Sequence, residues 1–525
     1  MIFLLRCNSD PKIGLGHFMR CLKIYNVLRE NGKFVKIYID KKNKFMENFN
    51  FKYDEIYTKK KFFINQNLDS KLFIKKVLLE YKNEKIVVLK DDYRLTFPWE
   101  KRVSNELKSK MAVFDDFDNS NHFTDLIINP KTKFYCQNKP IIKEICNKKT
   151  ILLLGPKYSL INKIEKNKVN KKFTIVINFG GSKNTHLIKN ILSIIALNNK
   201  NINFKIIISP YEKLNILKKK IASKFKNVQI IKNFFNLQQI YSKSHLFLGA
   251  AGTSVYETTA QKMPGIFFEI SKNQKTSYKS LEKMGQYFFL TKVYLKKNNL
   301  IKLNKLILFI KKNYKILQKL IKNQSIKIDD KGVKRILKNI INIDKIIEKG
   351  KPKNYFESKK NQNKIYKITK CKFEDINEYI EARNRIENIK QSFRRKHINH
   401  LDHYIWWFKN DVSSFKLKKG EETIIFFYHH LVRLGKKKYF ISGWFNASDS
   451  CTIQDIIYAL NWQRNKINLK KRGISSWISF VKKDNILAQK YSEKLGWKRI
   501  SDRDELYINL KNKFNMPESY VYIRK

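Results

Sequence analysis

Ile13-Gly14-Leu15-Gly16-His17-Phe18-Met19-Arg20 follows the apolar run Ile2 to Leu5 and leads into residues with a helical apolar face, among them Leu22, Tyr25 and Leu28. A short apolar run, a glycine turn and an amphipathic helix form the opening unit of a parallel α/β sheet. Gly14 and Gly16 let the backbone turn tightly and let a ligand approach the start of the helix. There the unpaired N–H groups and the positive end of the helix dipole favour anions. His17 sits just inside this turn. A helix N-terminus disfavours imidazolium, so the imidazole is suited to act as a general base; the alternative is that it caps or packs the turn.

The same alternation extends outward from this point. Phe34 to Ile39, Ile86 to Leu89 and Met111 to Phe114 have strand length and composition and are separated by helical patterns. A second series is expected from Thr150 to Leu154 onward, through Phe173 to Ile177, Phe204 to Ile208, Val228 to Ile231, Leu246 to Leu248 and Gly265 to Phe268. The expected organisation is α/β, with two Rossmann-like domains at residues 1–147 and 148–335. A Lys- and Asn-rich linker follows at 336–364, then a third, α+β domain at 365–525.

The chain has 525 residues, 42% of them hydrophobic, with 37 Phe and 26 Tyr, enough to build several cores. Its 109 Lys and Arg against 45 Asp and Glu give a net charge of +64. The lysines are spread over nearly every segment instead of forming one basic face, which argues against a specific nucleic-acid partner and favours anionic substrates. The six cysteines are far apart and lack the density of a disulfide scaffold. Met1 to Arg6 is too short an apolar run for a signal h-region or a membrane span, so a cytoplasmic location without a membrane span is expected.

Two later turns are suited to phosphate. Asn178-Phe179-Gly180-Gly181-Ser182 follows a strand, as does Ala250-Ala251-Gly252-Thr253-Ser254-Val255-Tyr256-Glu257, which opens a helix. Glu257 can accept hydrogen bonds from a vicinal diol or simply stabilise the helix's first turn. Asn273-Gln274 comes after the next strand.

Arg6, Gly14, Gly16, His17 and Arg20 resemble the opening R-x-D-x(5)-G-x-G-H-x-x-R of the hydrolases that remove UDP from UDP-2,4-diacetamido-2,4,6-trideoxy-β-L-altropyranose in pseudaminic acid synthesis. Leu89-Lys90-Asp91-Asp92-Tyr93, Phe114-Asp115-Asp116, Asp125 with Asn129, and Gly155-Pro156-Lys157-Tyr158-Ser159-Leu160 continue the resemblance over roughly residues 1 to 290. Asn8 stands where that family has Asp. The stretch from Ala250 to Glu257 is similar to the nucleotide site of glycosyltransferase-B enzymes.

These resemblances imply a glycosyltransferase-B arrangement and a UDP-sugar hydrolase that uses no cofactor or metal, with His17 as base. Arg6, Asn8, Gly14, Gly16, Arg20, Tyr93, Tyr158, Gly180, Gly181, Ser182, Ala251, Gly252, Thr253, Ser254, Glu257, Asn273 and Gln274 are the implied substrate-binding residues. A UDP-sugar glycosyltransferase on the same scaffold is the alternative, and a non-enzymatic basic binding protein is a second. Other enzymes of the same pathway are candidate partners.

In the third domain, Glu381-Ala382-Arg383-Asn384, His403 with Trp406-Trp407, and Val481 to Asn485 followed by Leu495-Gly496-Trp497 resemble GNAT acetyltransferases. That makes acetyl-CoA a candidate cofactor and N-acetyl transfer a candidate second activity. The segment expected to bind its diphosphate reads Asn446-Ala447-Ser448-Asp449-Ser450-Cys451-Thr452, without the family's basic residue and glycines. His397, His400 and His403 diverge around a helix and are not expected to hold a metal.

Overall fold

The computed structural model describes residues 1–10, 16–57, 65–117, 121–131, 150–180, 185–209, 225–232, 236–271, 274, 278–343, 366–392, 396–409, 412–467, 473–514 and 519–524. The chain divides into two compact units, Met1–Ser358 and Lys359–Lys525.

The first unit contains two Rossmann-like sheets in which every pairing is parallel, the layout expected of a glycosyltransferase-B-like chain. Seven strands form the first: β1 (Ile2–Cys7), β2 (Phe34–Ile39), β3 (Tyr53–Glu55), β4 (Ile86–Asp91), β5 (Lys110–Phe114), β6 (Leu126–Asn129) and β7 (Ile151–Leu154), in the order β3-β2-β1-β4-β5-β6-β7. Every residue of β1 is buried because successive side chains serve opposite faces. Phe3, Leu5 and Cys7 join one core with Phe18, Leu22 and Leu28 of helix α1 (Gly16–Glu30). Ile2 and Leu4 join the other, with Phe73 of α2 (Gln66–Tyr81) and Trp99 of α3 (Phe97–Glu106).

The second sheet holds β8 (Thr174–Asn178), β9 (Asn203–Ile208), β10 (Val228–Lys232), β11 (Leu246–Ala250), β12 (Gly265–Glu269) and β13 (Phe288–Thr291) in the order β10-β9-β8-β11-β12-β13. Gly249 is required where β11 meets β8, since a Cβ there would lie 1.8 Å from the Asn178 carbonyl oxygen.

Two boundaries differ from the sequence expectation. Ile151–Leu154 does not open the second sheet; it pairs with β6 as the last strand of the first, and Ile151 and Leu153 enter the first core. Residues 336–343, expected in a linker, belong largely to the helix Gly332–Ile341. Its Val333, Ile336, Leu337 and Ile340 pack into that same core with Ile343, so the chain returns to the first lobe after completing the second. Its apolar residues recur at helical spacing, a pattern hidden among the intervening lysines and asparagines. A Cβ on Gly332 would come 2.0 Å from the Ser159 carbonyl oxygen, so this helix sits tightly on the crossover between the lobes.

The second unit is α+β. Its strands β14 (Tyr366–Lys370), β15 (Ser413–Lys419), β16 (Glu422–Leu434), β17 (Lys437–Asn446), β18 (Ser476–Lys482), β19 (Lys498–Arg499) and β20 (Ser519–Arg524) are ordered β14-β15-β16-β17-β18-β20-β19. All pairings are antiparallel except that of β17 with β18, which runs from Tyr439 with Ser476 to Ser442 with Ser479. Beyond Ser442 and Ser479 the two strands continue without pairing, leaving a wedge between their ends. Among the described residues, no helix is long and apolar enough to cross a membrane.

The returning helix can be tested directly. Ile336→Ala should cost about 2–5 kcal/mol of stability, read from the denaturant midpoint, because it empties a filled core position. A linker residue would show a change within about 0.5 kcal/mol.

Candidate active site

In an open parallel sheet, ligands bind beyond the carboxyl ends of the strands where the strand order reverses. The first sheet reverses between β1 and β4, the second between β8 and β11. His17 lies in the first turn of the helix that follows β1, and Asp91 is the last residue of β4. Across that reversal the His17 Nδ1 lies 2.6 Å from Asp91 Oδ1. A proton placed on Nδ1, against the carboxylate, leaves Nε2 as the nitrogen that accepts one. Tyr93 packs edge-on against the ring, with centroids 4.6 Å apart.

Arg20, one turn further along α1, completes the arrangement. Its Nε and Nη2 donate to the two Asp91 oxygens at 2.8 and 2.5 Å, Nη1 donates to Asp116 at 2.9 Å, and Nη2 reaches the Tyr93 hydroxyl at 3.1 Å. The guanidinium lies 4.7 Å over the Phe114 ring, and Tyr93 donates in turn to Asp116. Burial alone would push the Asp91 carboxyl up, but Arg20 and His17 outweigh it and hold it below its ordinary value. Asp116 is affected in the same way: burial opposes ionisation, and Arg20 and Lys131 bring its pKa down to about 2. Burial pushes the Tyr93 phenol well up, so it stays a hydrogen-bond donor. Sequence reading assigned Arg20 and Tyr93 to substrate; the structure shows Arg20 bonding Asp91, the carboxylate that faces His17, and both side chains bonding Asp116.

Arg6 requires a correction. It is fully buried, donating at 2.6 Å to Asp40, Asp69 and the Cys7 carbonyl, so it braces the floor of the site and does not reach a diphosphate. Asn8 donates to Asp92 at 3.4 Å. Asp92 also lies 3.9 Å from Arg6 and pairs with Arg94. An Asp at position 8 would set a further carboxylate against Asp92, which the amide avoids by donating. Tyr158 lies in the crossover Pro156–Tyr158, packed against the first core.

On the second lobe, Gly180 adopts φ 84° just after β8, and its N–H donates to the Asn178 side chain. Ala251 does not offer its N–H to a ligand, since the Phe268 carbonyl takes it at 2.9 Å. Gly252 and Thr253 follow in the turn, and Ser254 begins the helix Ser254–Ala260. Gln274 is brought against the Gly252 turn, 3.9 Å from where a Cβ would project. Glu257 is 7% exposed; its Oε1 lies 3.8 Å from Lys23 Nζ of α1, and its Oε2 has no hydrogen-bond partner. Lys23, absent from the sequence-level candidates, thus joins the two reversal points. Gly14, Gly181, Ser182 and Asn273 lie outside the described residues.

Within the second unit, the start of the helix Ile453–Lys466 is closed by the chain itself. The Asp455 carboxylate accepts from the Thr452 N–H and hydroxyl at 2.8 Å, and the Thr452 hydroxyl caps the Asp455 N–H. Ser448 and Ser450 turn to Glu422, and Arg385 pairs with Asp449. A diphosphate needs open N–H donors and a positive field at such a helix start, and finds carboxylates instead. His403 bonds the Ile376 carbonyl oxygen at 2.7 Å and stacks on Tyr379. No group of three or more potential metal ligands occurs among the described residues.

No family model matches the chain. An uncharacterized protein of Methanocaldococcus jannaschii is 26% identical over 291 residues, covering 52% of this chain and 56% of that protein, so the chain spans little more than half the relative's length. Similar solved structures include a UDP-GlcNAc 2-epimerase from Neisseria meningitidis bound to UDP-GlcNAc, with 13% identity, a TM-score of 0.43, and coverage of 65% of this chain and 100% of that one. A glycosyltransferase from Rickettsia africae gives 12%, 0.42, 66% and 98%, and MurG from Acinetobacter baumannii 12%, 0.44, 65% and 99%. These are epimerases and transferases, and none is a hydrolase that releases UDP; the expectation of a UDP-sugar hydrolase is withdrawn.

Arg20→Met leaves Asp91 and Asp116 buried without their cation and should cost about 3–5 kcal/mol at pH 7. Both carboxyls have lowered native pKa values. In the wild type their contribution is therefore present above the ordinary carboxylate range, about 4, and is lost as pH falls through the native values. In the variant those values rise, so its deficit relative to wild type should shrink between about pH 7 and 4. Urea midpoints across that range check the sign; a pH-independent deficit would contradict the assignment.

Proposed function

We propose that residues 1–343 form a nucleotide-sugar-dependent glycosyltransferase in which His17, oriented by Asp91, takes the proton from an acceptor hydroxyl. The observation that carries this reading is the 2.6 Å contact between His17 Nδ1 and Asp91, placed where the order of the first sheet reverses. It supplies an oriented base at the position where such sheets bind ligands.

The acceptor carried by the second lobe is Glu257. A buried carboxylate oxygen with no partner calls for a donor, and a ribose diol provides one. The Gly252 turn would take the diphosphate through backbone N–H groups, and stabilising the departing diphosphate would be the largest contribution to rate. Because the motifs around His17 and Tyr93 resemble those of the pseudaminic acid pathway, a UDP-diacetamido-trideoxyhexose is the first donor to test, with UDP-GlcNAc as the second.

For the second unit, the parallel contact of β17 with β18 in an otherwise antiparallel sheet, and the parting of their ends, support a GNAT-like fold. The carboxylate-closed helix start supports a module that has lost the coenzyme, and no acetyl transfer is assigned to it.

With donor and an acceptor alcohol, UDP should appear in step with a glycosylated acceptor detected by mass. Free sugar formed at the same rate without acceptor would contradict transfer. His17→Ala should lower turnover by ~10² or more while leaving UDP affinity nearly unchanged.

A further inference from the structure

Lys23 is the cation that the first lobe extends to the second. Its Nζ donates to the Leu160 carbonyl oxygen in the crossover at 2.8 Å, and lies 3.8 Å from Glu257 Oε1, beyond hydrogen-bond range. Both side chains are largely buried, at 21% and 9% exposure. The groups facing Glu257 come from two neighbouring elements: Lys23 on α1, and Tyr241 on the helix Leu237–Tyr241, where Gln238 also donates to the Glu257 backbone carbonyl oxygen at 3.3 Å. Burial pushes the Tyr241 phenol upward, so it brings no charge near neutral pH. Lys23 therefore supplies the positive charge facing this carboxylate, and it does so from the other lobe.

Resting on the reading of Glu257 as the ribose carboxylate, we infer that Lys23 is a positioning residue for nucleotide recognition: its ammonium holds Glu257 so that Oε2 accepts from a ribose hydroxyl. The ribose subsite is thus completed across the cleft. The nucleotide reads a carboxylate that α1 faces from the other lobe. Burial holds the Glu257 carboxyl above its ordinary value, and Lys23 offsets part of that rise. Burial likewise leaves the Lys23 ammonium below its ordinary value, with Glu257 offsetting part of the fall.

The test is calorimetric binding of UDP and 2′-deoxy-UDP to the full chain. Wild type should bind UDP and prefer it over the deoxy analogue. Lys23→Met should lose about tenfold in UDP affinity, the worth of a hydrogen bond to a charged group, and its preference for UDP should fall toward one. Its preference for UDP should also rise with pH between about 6 and 8 more steeply than in wild type, because a Glu257 without its cation ionises later. Lys23→Arg should restore affinity, preference and the wild-type pH dependence. If Lys23→Met does not fold, Lys23→Gln, which keeps a donor for Leu160 without the charge, should show the same losses. Uncharged variants that match wild type in all three readouts would overturn the inference and leave Lys23 a brace between lobes. Absence of UDP binding in the wild type would instead remove the nucleotide reading itself, and the inference with it.

Discussion

One carboxylate organises the first lobe. Asp91 ends β4, the strand beside β1, and it accepts from the Arg20 guanidinium on one side and faces the His17 imidazole on the other. Because β1 and β4 flank the point where strand order reverses, no crossover helix covers their carboxyl ends. A buried carboxylate in that gap has to be paired, and the two groups that pair it lie one turn apart on the helix leaving β1. Arg20 carries the constraint on to Asp116 and Tyr93, so the imidazole orientation is determined by four side chains from three chain segments. Beneath it, Arg6, Arg94, Asp40, Asp69 and Asp92 form a second buried network that keeps the ends of β1, β2 and β4 in register.

The second lobe repeats the reversal and presents Glu257 there, and the two reversals meet through Lys23. This contact and the return of Gly332–Ile341 to the first core have related consequences. The helix ties the end of the second lobe to the first, and Lys23 connects the ligand-facing surfaces. Nucleotide recognition is then a property of both lobes together. The C-terminal unit has its own sheet and core.

The parts legible in sequence were those with local causes. The helix beginning at Gly16 and the histidine in its first turn follow from adjacent residues, and both parallel sheets followed from alternating apolar runs. The pairing of His17 with Asp91, 74 residues away, was not legible: the run Lys90-Asp91-Asp92 offers two adjacent acids, and only the pleat decides which one faces the turn. Arg6 was taken as substrate-binding on the motif resemblance, which does not show that three distant aspartates converge on it once β1, β2, β4 and α2 assemble. Ile151–Leu154 was placed in the wrong sheet because an isolated apolar tetrad does not specify its neighbour. Lys23 was one lysine among very many, with nothing local to mark it.

The central claim is that a nucleotide sugar lies between an oriented His17 and Glu257. A crystal structure of the chain soaked with UDP-sugar measures this directly. The account predicts ribose hydroxyls against Glu257 and the anomeric carbon facing the Nε2 side of His17. A nucleotide bound elsewhere, or a sugar turned away from the imidazole, would contradict it.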